Sequence, residues 1–340
     1  MRKKLNEVSA VARNDGKRSV PGWAALMLIA AIVLPVRAHT EASQVEGVWT
    51  TRAHLPDRRS EVSVTSDGER LYVLGGFAEG PDGATAPRAV YVYSPSADVW
   101  TELTRVPEGV NHAGLAYLRG KLYVIGGFRE TSFDATDALH IYDIANRTWR
   151  EGPPLPTPRG ALAVAVQDGR IHAIGGLTAD KTDTGAHEIF DPIEDKWTTA
   201  ADLPTPRNHI AAVAVDSSIF VLAGRDAETF TLAVNEVYDV STDTWRKAPD
   251  VPTGRSGVAA VEVGGLVYLF GGEDFTPPTT FDTVERFDPR TETWVALPQM
   301  PIARHGLGAG VVGNRIHVVA GGPQAGLSFS DDHEVLMPGR

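Results

Sequence analysis

The sequence predicts an all-β fold, a six-bladed β-propeller with four antiparallel strands in each blade. Three observations support this prediction. Six tryptophans recur at intervals of 51, 49, 48, 48 and 49 residues: Trp49, Trp100, Trp149, Trp197, Trp245 and Trp294. A glycine follows each of them at a constant distance: Gly76, Gly127, Gly176, Gly224, Gly272 and Gly321. An aromatic residue precedes each of the last five tryptophans by seven residues. A period near 50 residues is typical of stacked supersecondary units.

The first two strands of each repeat lie between an arginine position and a glycine pair. Five repeats carry the arginine, and the second repeat has Val110 instead: Arg59, Arg159, Arg207, Arg255 and Arg304. The innermost strand follows, as in 161–166, and its small apolar residues predict burial on both faces. The second strand, as in 71–74, ends at the glycine pair. Ala223 and Ala320 replace the first glycine in two repeats, which indicates that only the second glycine position is strict.

The third and fourth strands complete the repeat, and the two chain ends predict how the ring closes. The third strand ends at the aromatic residue, and the fourth begins at the tryptophan. The strand at Trp49 has no partners before it, whereas the last repeat ends at its third strand, 333–336. We therefore expect the Trp49 strand to complete the last blade, because an open ring would expose unpaired strand edges. The tryptophans and their aromatic partners are predicted to be core residues.

Residues 1–38 are predicted to be a signal peptide or an N-terminal membrane anchor. A basic leader precedes an apolar run of 14 residues, Trp23 to Val36, which is short for a membrane span of about 20 residues. Val36-Arg37-Ala38 is a candidate cleavage site. Residues 39–46 follow as a short linker, and 47–340 form the propeller. We expect an exported monomer, periplasmic or extracellular, with membrane contact only through an uncleaved anchor.

Composition excludes several classes of function. The net charge is −11 although residues 1–38 are basic, so the body lacks the positive surface that nucleic-acid binding requires. The chain has no cysteine, which excludes disulfides and thiolate chemistry. No nucleophile motif, phosphate loop or zinc-ligand spacing is present, and we expect no metal and no cofactor. The glycine pair follows a strand and opens a loop rather than a helix, so a dinucleotide site is excluded as well.

The repeat resembles the kelch family over nearly all of residues 47–340. The resemblance is carried by the pattern from Arg255 to Gly272 and by V-E-R-F-D-P-x4-W from Val284 to Trp294. It implies a propeller with a binding face. The family includes cytoskeletal and ubiquitin-ligase adaptors, and the chain is more distantly similar to galactose oxidase and to a bacterial periplasmic sialic-acid mutarotase. Copper oxidase chemistry is excluded, because that radical cofactor needs a Tyr–Cys crosslink.

Residues that differ between repeats are the candidates for ligand binding. Strand polarity places the long second-to-third loops on the same face as the entry to the innermost strands. At that entry the residues after the arginine position vary, as they would for an asymmetric ligand. Two charged residues, at the position after the strict glycine, face the same side. The ten candidates are Ser60, Glu61, Asn111, His112, Asn208, His209, Ser256, His305, Arg225 and Glu273. The recurring arginines and Glu188, Glu236, Glu285 and Glu334 are predicted to be structural.

The sequence favours a binding module for a protein or glycan ligand over an enzyme. The alternative is a sugar mutarotase or epimerase, which needs a carboxylate and an imidazole or cationic partner in one pocket. Glu61 with His112 or His209 would then be the catalytic candidates. A deep pocket joining these groups favours the enzyme, whereas a flat face with a hydrophobic rim favours a protein partner.

Overall fold

The computed structural model describes residues 47–338, which form 33 strands and contain no helix. The first half of the strands is β1 (Val48–Thr51), β2 (Arg59–Ser60), β3 (Ser63–Ser66), β4 (Leu71–Leu74), β5 (Phe77–Gly80), β6 (Gly83–Thr85), β7 (Ala89–Ser94), β8 (Val99–Arg105), β9 (Val110–Asn111), β10 (Gly114–Leu118), β11 (Lys121–Ile125), β12 (Phe128–Arg129), β13 (Leu139–Asp143), β14 (Thr148–Glu151), β15 (Arg159–Gly160) and β16 (Ala163–Gln167). The second half is β17 (Arg170–Ile174), β18 (Leu177–Thr178), β19 (His187–Asp191), β20 (Lys196–Thr199), β21 (Ala211–Val215), β22 (Ser218–Leu222), β23 (Asn235–Asp239), β24 (Thr244–Lys247), β25 (Ala259–Val263), β26 (Leu266–Phe270), β27 (Glu273–Phe275), β28 (Pro278–Thr280), β29 (Val284–Asp288), β30 (Thr293–Ala296), β31 (Gly308–Val312), β32 (Arg315–Val319) and β33 (His333–Met337).

Twenty-four of these strands form antiparallel four-stranded sheets, one for each repeat. They are sheet 1 (β3-β4-β7-β8), sheet 2 (β10-β11-β13-β14), sheet 3 (β16-β17-β19-β20), sheet 4 (β21-β22-β23-β24), sheet 5 (β25-β26-β29-β30) and sheet 6 (β31-β32-β33-β1). The prediction of an all-β fold with four antiparallel strands per repeat is confirmed. The predicted pairing of the first strand with the last is also present, with Trp49 opposite Leu336.

The predicted N-terminal segments, 1–38 and 39–46, lie outside the described residues, as do residues 339–340. The signal-peptide, anchor and linker assignments therefore stay predictions. Within residues 47–338 no helix has the length and hydropathy to cross a membrane.

Neighbouring sheets are joined along their innermost strands and share hydrophobic cores. The innermost strands contact one another in chain order, and β31 contacts β3. Each apolar core cluster draws residues from two sheets; Phe220 of sheet 4, for example, packs with Phe287 of sheet 5. Small residues such as Ala211 and Ala259 allow this close approach near the centre.

The strict glycine of each repeat is explained by a backbone hydrogen bond between sheets. Its N–H donates to the carbonyl of the residue at the arginine position of the next sheet. Gly76 donates to Val110 at 2.9 Å, the next four glycines follow the same pattern, and Gly321 donates to Arg59 at 2.8 Å. All six glycines have φ between 84° and 117°. A Cβ atom on Gly76 would lie 2.2 Å from the Ser60 oxygen, so no other residue fits. At the first position φ is near 60°, which Ala223 adopts.

The tryptophans correct one prediction. We expected core residues, but all six are only partly buried, at the edges of the inter-sheet clusters. Each indole N–H donates a hydrogen bond to the preceding sheet or the segment that follows it, as from Trp49 to the Pro298 oxygen at 3.1 Å and from Trp245 to the Ala201 oxygen at 2.7 Å. The constant spacing of the tryptophans in the repeat therefore reflects a hydrogen bond between neighbouring sheets as well as apolar packing.

The structural interpretation of the repeated arginines and glutamates is confirmed in four sheets. Arg207 is fully buried, bonds Glu236 at 2.5 Å, and donates to the Ala223, Thr205 and Val221 carbonyls at 2.9 Å. The other three pairs are Arg159–Glu188, Arg255–Glu285 and Arg304–Glu334. In sheet 1 Arg59 pairs with Asp57 instead of a glutamate. In sheet 2 the arginine position is occupied by Val110 and the glutamate position by His140.

Candidate functional site

The site is built on six equivalent backbone positions at the centre of the molecule. They are Glu61, His112, Ala161, His209, Gly257 and Gly306, and all have φ between 51° and 65°. The N–H of each position after the first donates to the carbonyl of the preceding one, from His112 to Glu61 at 3.4 Å through Gly306 to Gly257 at 2.9 Å, and Val62 donates to Gly306 at 3.3 Å. These bonds hold the residues in the left-handed region that non-glycine residues rarely adopt. The repeat thus fixes the backbone, while the side chains differ.

Glu61 is the point at which three of the predicted residues meet. Its carboxylate lies 3.2 Å from His112 Nε2 through one oxygen and 3.2 Å from His305 Nδ1 through the other. His305 Nδ1 also lies 3.3 Å from a Glu273 oxygen. Gly306 makes room for this arrangement, because a Cβ there would lie 2.5 Å from Glu61 Oε1. The absence of a side chain at Gly306 thus leaves space for the Glu61 carboxylate.

Arg225 links the opposite side of the cluster. Its guanidinium donates to His209 Nε2 at 2.8 Å and to Glu273 Oε1 at 3.1 Å. The rings of His209 and His112 are in contact, with centroids 4.7 Å apart. All six charged or imidazole side chains predicted for the site therefore converge in one cluster of close polar contacts: Glu61, His112, His209, Arg225, Glu273 and His305.

Two asparagines orient two of the histidines. The Asn111 amide nitrogen donates to the Glu130 carbonyl at 2.8 Å, so its oxygen faces His112 Nδ1 at 2.6 Å. The Asn208 nitrogen bonds the Asp183 carboxylate, and its oxygen accepts from His209 Nδ1. Since an amide oxygen only accepts, Nδ1 carries the proton in both rings and each neutral imidazole presents an Nε2 lone pair to the cluster.

The electrostatics of the cluster follow from burial and close charges. Burial lowers the pKa of His112 and that of His209, whose neighbour Arg225 lowers it further. Burial opposes ionisation of Glu61, but the neighbouring imidazoles hold its pKa below the ordinary value. Burial would also lower the pKa of His305, yet Glu61 and Glu273 raise it above the ordinary value. The arrangement favours a cationic His305 between two carboxylates, beside two neutral histidines.

A cavity of about 300 Å³ lies over this cluster. Its floor is polar, and its walls are apolar side chains from the long loops: Phe77, Ala84, Phe133, Phe275 and Leu327. Sequence reasoning had placed the site on this loop face but had missed the wall residues. Only Phe77 lies at a repeated position, the one after the strict glycine. Three of the five, Phe77, Ala84 and Phe275, belong to short hairpins, β5–β6 and β27–β28, that the sequence pattern does not predict.

The structure separates the ten candidates into two groups. Ser60 lines the cavity together with the six cluster residues. Asn111, Asn208 and Ser256 are buried behind the cavity wall, where the first two position their histidines. The acidic neighbours of Arg225 and Glu273 do not join the site, because Asp226 and Asp274 accept backbone hydrogen bonds within their own loops.

Comparison with known proteins gives a family match over most of the chain. The model of the KLHDC2/KLHL20/DRC7 Kelch-repeats domain matches residues 36–202 and 156–322. Among solved structures, "Structure of YjhT" superposes with a TM-score of 0.71 over 86% of this chain and 100% of that chain, at 17% identity. At this identity the superposition establishes similarity of fold alone.

Curated relatives match over shorter segments. Kelch-like protein terF of Aspergillus terreus is 32% identical over 150 residues, which are 41% of this chain and 32% of that protein. Beta-scruin of Limulus polyphemus is 29% identical over 141 residues, 40% of this chain and 15% of that protein. Kelch-like protein 35 of Mus musculus is 31% identical over 128 residues, 38% of this chain and 21% of that protein. The matches thus span less than a third of each relative.

Proposed function

The chain belongs to the kelch-repeat family, and we propose that it is an exported binding module that holds a saccharide unit in its central cavity. The observation that carries the proposal is the combination of a polar floor and aromatic walls in one cavity of about 300 Å³. Small-ligand sites are typically concave, mostly apolar and supplied with a few convergent polar groups. A sugar ring presents hydroxyls for the floor and C–H faces for Phe77, Phe133 or Phe275.

The proposal includes the architecture that supports the cavity. We infer that the six sheets are the blades of one closed ring, with β1 completing the last blade. The hydrogen bonds from Gly321 to Arg59 and from Val62 to Gly306 support this reading. Removing residues 47–51 would unpair β33 and take the Trp49 indole from Pro298; a thermal melt unchanged by that deletion would contradict closure.

The hydrogen-bonding capacity of the floor indicates the kind of ligand. Arg225 supplies guanidinium donors and is the most exposed of the basic groups, with 19% of its side chain exposed. Glu61 supplies carboxylate acceptors at the centre, and its side chain is 12% exposed. A ligand with hydroxyls and a carboxylate would satisfy both, since a carboxylate pairs well with a guanidinium.

The test is a saccharide screen by calorimetry on the purified full chain in EDTA, with neutral and acidic sugars. We expect Arg225→Met to weaken the binding of an acidic sugar by at least about tenfold. Phe133→Ala should weaken neutral and acidic sugars alike. His54→Ala is the matched control, because His54 is an exposed histidine near Asp331 and Asp332, away from the cavity. Absence of binding to any sugar, or equal loss in the control, would reject the proposal.

A protein ligand is a second candidate, and exposed apolar side chains on the loop face favour it. Phe133, Phe230 and Leu327 are 46%, 40% and 64% exposed. Exposed aromatic residues around a pocket are common at protein-binding surfaces. Pull-down from the native host's periplasm that survives Arg225→Met but not Phe230→Ala would favour this candidate over a saccharide.

Catalysis is the third candidate, and the contacts of Glu61 favour it. A carboxylate within 3.2 Å of two imidazoles is able to exchange a proton with a sugar hydroxyl. NMR measurement of anomer exchange, with Glu61→Gln as the inactive variant, tests this.

Export is tested separately: N-terminal sequencing of protein from the native host should find a start near His39, whereas an intact Met1 in the membrane fraction would support the anchor.

A further inference from the structure

We propose that Glu61, His112 and His209 form a binding site for a divalent transition-metal ion, of the kind zinc occupies, in the floor of the central cavity. One carboxylate and two imidazoles are a ligand set that zinc uses in sites with an open position. The sequence alone predicts no metal site, because it contains no zinc-ligand spacing. The inference is independent of the proposed saccharide, since it requires only the floor.

The three ligand atoms already lie close to the spacing of a metal site. One oxygen of Glu61 and one ring nitrogen from each histidine lie within 4.8 Å of one another. The Glu61 oxygen and His112 Nε2 are 3.2 Å apart. Ligand atoms about 2.0–2.2 Å from a tetrahedral zinc lie about 3.4 Å from each other. The Glu61–His112 pair is already near this spacing, and the His209 nitrogen, which lies within 4.8 Å of both, would approach each by at most about 1.4 Å.

Two asparagines orient the histidines toward the same point. In both rings Nδ1–H is held by an asparagine oxygen, so Nε2 is the nitrogen whose lone pair would bind a metal. A second ligand shell of this kind fixes the tautomer and the orientation of metal-binding histidines. The dipeptide Asn-His occurs at the same repeat position in sheets 2 and 4, with φ of 51° and 52°. The scaffold thus presents two identical ligand units toward one point.

The contact between His112 and Glu61 is one that a cation completes. With the tautomer set by Asn111, the His112 Nε2 lone pair faces a Glu61 oxygen 3.2 Å away, so a metal ion, or a second proton on the ring, joins the two atoms. His305 and Glu273 flank Glu61 on its other side, and Glu61, Glu273 and His305 form a second group of the same compactness. The surrounding carboxylates therefore favour a cation at the centre.

Arg225 is the competitor in this site. Its N–H occupies the lone pair of His209 Nε2 at 2.8 Å. Metal binding requires the guanidinium to withdraw to Glu273, which it already contacts at 3.1 Å. This gives a discriminating prediction: Arg225→Met should strengthen metal binding, whereas the same change should weaken the binding of an acidic saccharide.

The experiment is titration of the full chain, stripped with chelator and freed of it by dialysis, with Zn²⁺ by calorimetry and with Co²⁺ by visible absorption. We expect one ion per chain. Glu61→Gln, His112→Ala and His209→Ala should each weaken binding by more than about 100-fold, and Asn208→Ala by about 10–100-fold. His54→Ala should change nothing, although exposed His54 forms a comparable group with the partly buried Asp331 and Asp332.

Three outcomes would overturn the site: no stoichiometric binding, loss of binding in His54→Ala, or weaker binding in Arg225→Met. Melting of each variant in EDTA separates a lost ligand from a lost fold, because bound Zn²⁺ should raise the melting temperature only of proteins that retain the site. Variants that fail to fold leave Arg225→Met and the wild-type Co²⁺ spectrum as decisive measurements. A protein that binds Zn²⁺ but no saccharide would reject the proposed function and retain the metal.

Discussion

Two groups of buried charged residues in this molecule contain the same residue types but serve different purposes, stability in one group and ligand binding in the other. The Arg–Glu pairs of sheets 3 to 6 have four copies, and in sheets 3 to 5 a threonine hydroxyl completes the set, as Thr205 does for Glu236 at 2.8 Å. The central cluster has one copy, and its groups face a cavity. Within the first group the Arg207 guanidinium finds a carboxylate and three carbonyls. In the second group, His305 has neither ring nitrogen in a well-aligned hydrogen bond.

The difference shows how a repeat protein separates stability from function. A buried charge stabilises a fold only when it is paired and well hydrogen-bonded, and the repeat supplies a carboxylate and backbone carbonyls to a buried arginine in each of four sheets. Arg159 and Arg207 have the fuller set, whereas Arg255 and Arg304 each keep one guanidinium nitrogen without a partner among the described residues. The central positions share a backbone conformation but not a side chain. Their charges are held in place by the surrounding ring of hydrogen bonds, and their remaining bonding capacity faces a ligand.

The largest expected effect comes from breaking one repeated pair. Glu236→Gln removes the charge that neutralises Arg207, whose side chain is fully buried. We expect the free energy of unfolding to fall by about 3–5 kcal/mol, because the arginine is left as an uncompensated buried cation. Urea denaturation at neutral pH measures this change.

Sheet 2 offers the matched control for this prediction, because it carries Val110 and His140 at the two positions. The double variant Arg207→Val with Glu236→His copies that solution and should recover part of the loss. If the double variant were less stable than Glu236→Gln, the Arg207–Glu236 pair would have to stabilise the fold by more than the cost of the unpaired charge that Glu236→Gln creates.

A second, pH-dependent effect should come from buried histidine pairs that the sequence did not single out. His172 Nδ1 lies 2.9 Å from His187 Nε2 in sheet 3, and His317 and His333 repeat the contact at 2.8 Å in sheet 6. Burial, followed by the partner imidazole, lowers the pKa of His172 and that of His333 to about 3. Burial lowers the pKa of His187 and that of His317 to about 4.

The sign follows from proton uptake. Below pH 6.5 the unfolded histidines bind protons, whereas the folded ones remain neutral until pH 3–4, so stability should fall as the pH falls from 6.5 toward 4. We expect a loss of at least about 2 kcal/mol per pair at pH 4.5. The variant His172→Tyr/His187→Val copies Tyr268 and Val284 of sheet 5, and a melt series at pH 7 and 4.5 should show a smaller acid loss. An unchanged acid loss would contradict this account.

How far the sequence predicted the molecule depended on repetition. Constant spacing predicted the strands, the strict glycine and the structural arginines, because each of these meets one physical requirement in every repeat. The same reasoning failed for the degree of burial of the tryptophans, since spacing does not distinguish a core residue from a partly buried residue that hydrogen-bonds the neighbouring sheet.

The site was predicted only in outline, for a related reason. Variation at the positions after the arginine identified four of the six residues that converge, and variation at the position after the strict glycine identified Arg225 and Glu273. Distances between them could not be predicted, because they depend on side chains filling space left by glycine. His305 illustrates this: it lies one residue before the central position, and Gly322 leaves room for its ring, since a Cβ there would lie 2.6 Å from Nε2. Of the aromatic wall residues, Phe77 follows a strict glycine, whereas Phe133 and Phe275 lie in loops without a repeated pattern.

The smallest effect on stability should follow from the same substitution made in the central cluster. Glu61→Gln keeps the volume of the side chain and removes a charge that borders a cavity. His305 retains Glu273 at 3.3 Å, so no cation is left without a carboxylate, in contrast to Arg207 after Glu236→Gln. We expect a change in unfolding free energy of at most about 1 kcal/mol, because the lost attraction is offset by the desolvation cost that the carboxylate no longer incurs. Parallel urea titrations of the two Gln variants in EDTA measure the difference directly. Equal losses would show that the central charges are structural after all, and the separation between the repeated pairs and the cavity cluster would not hold.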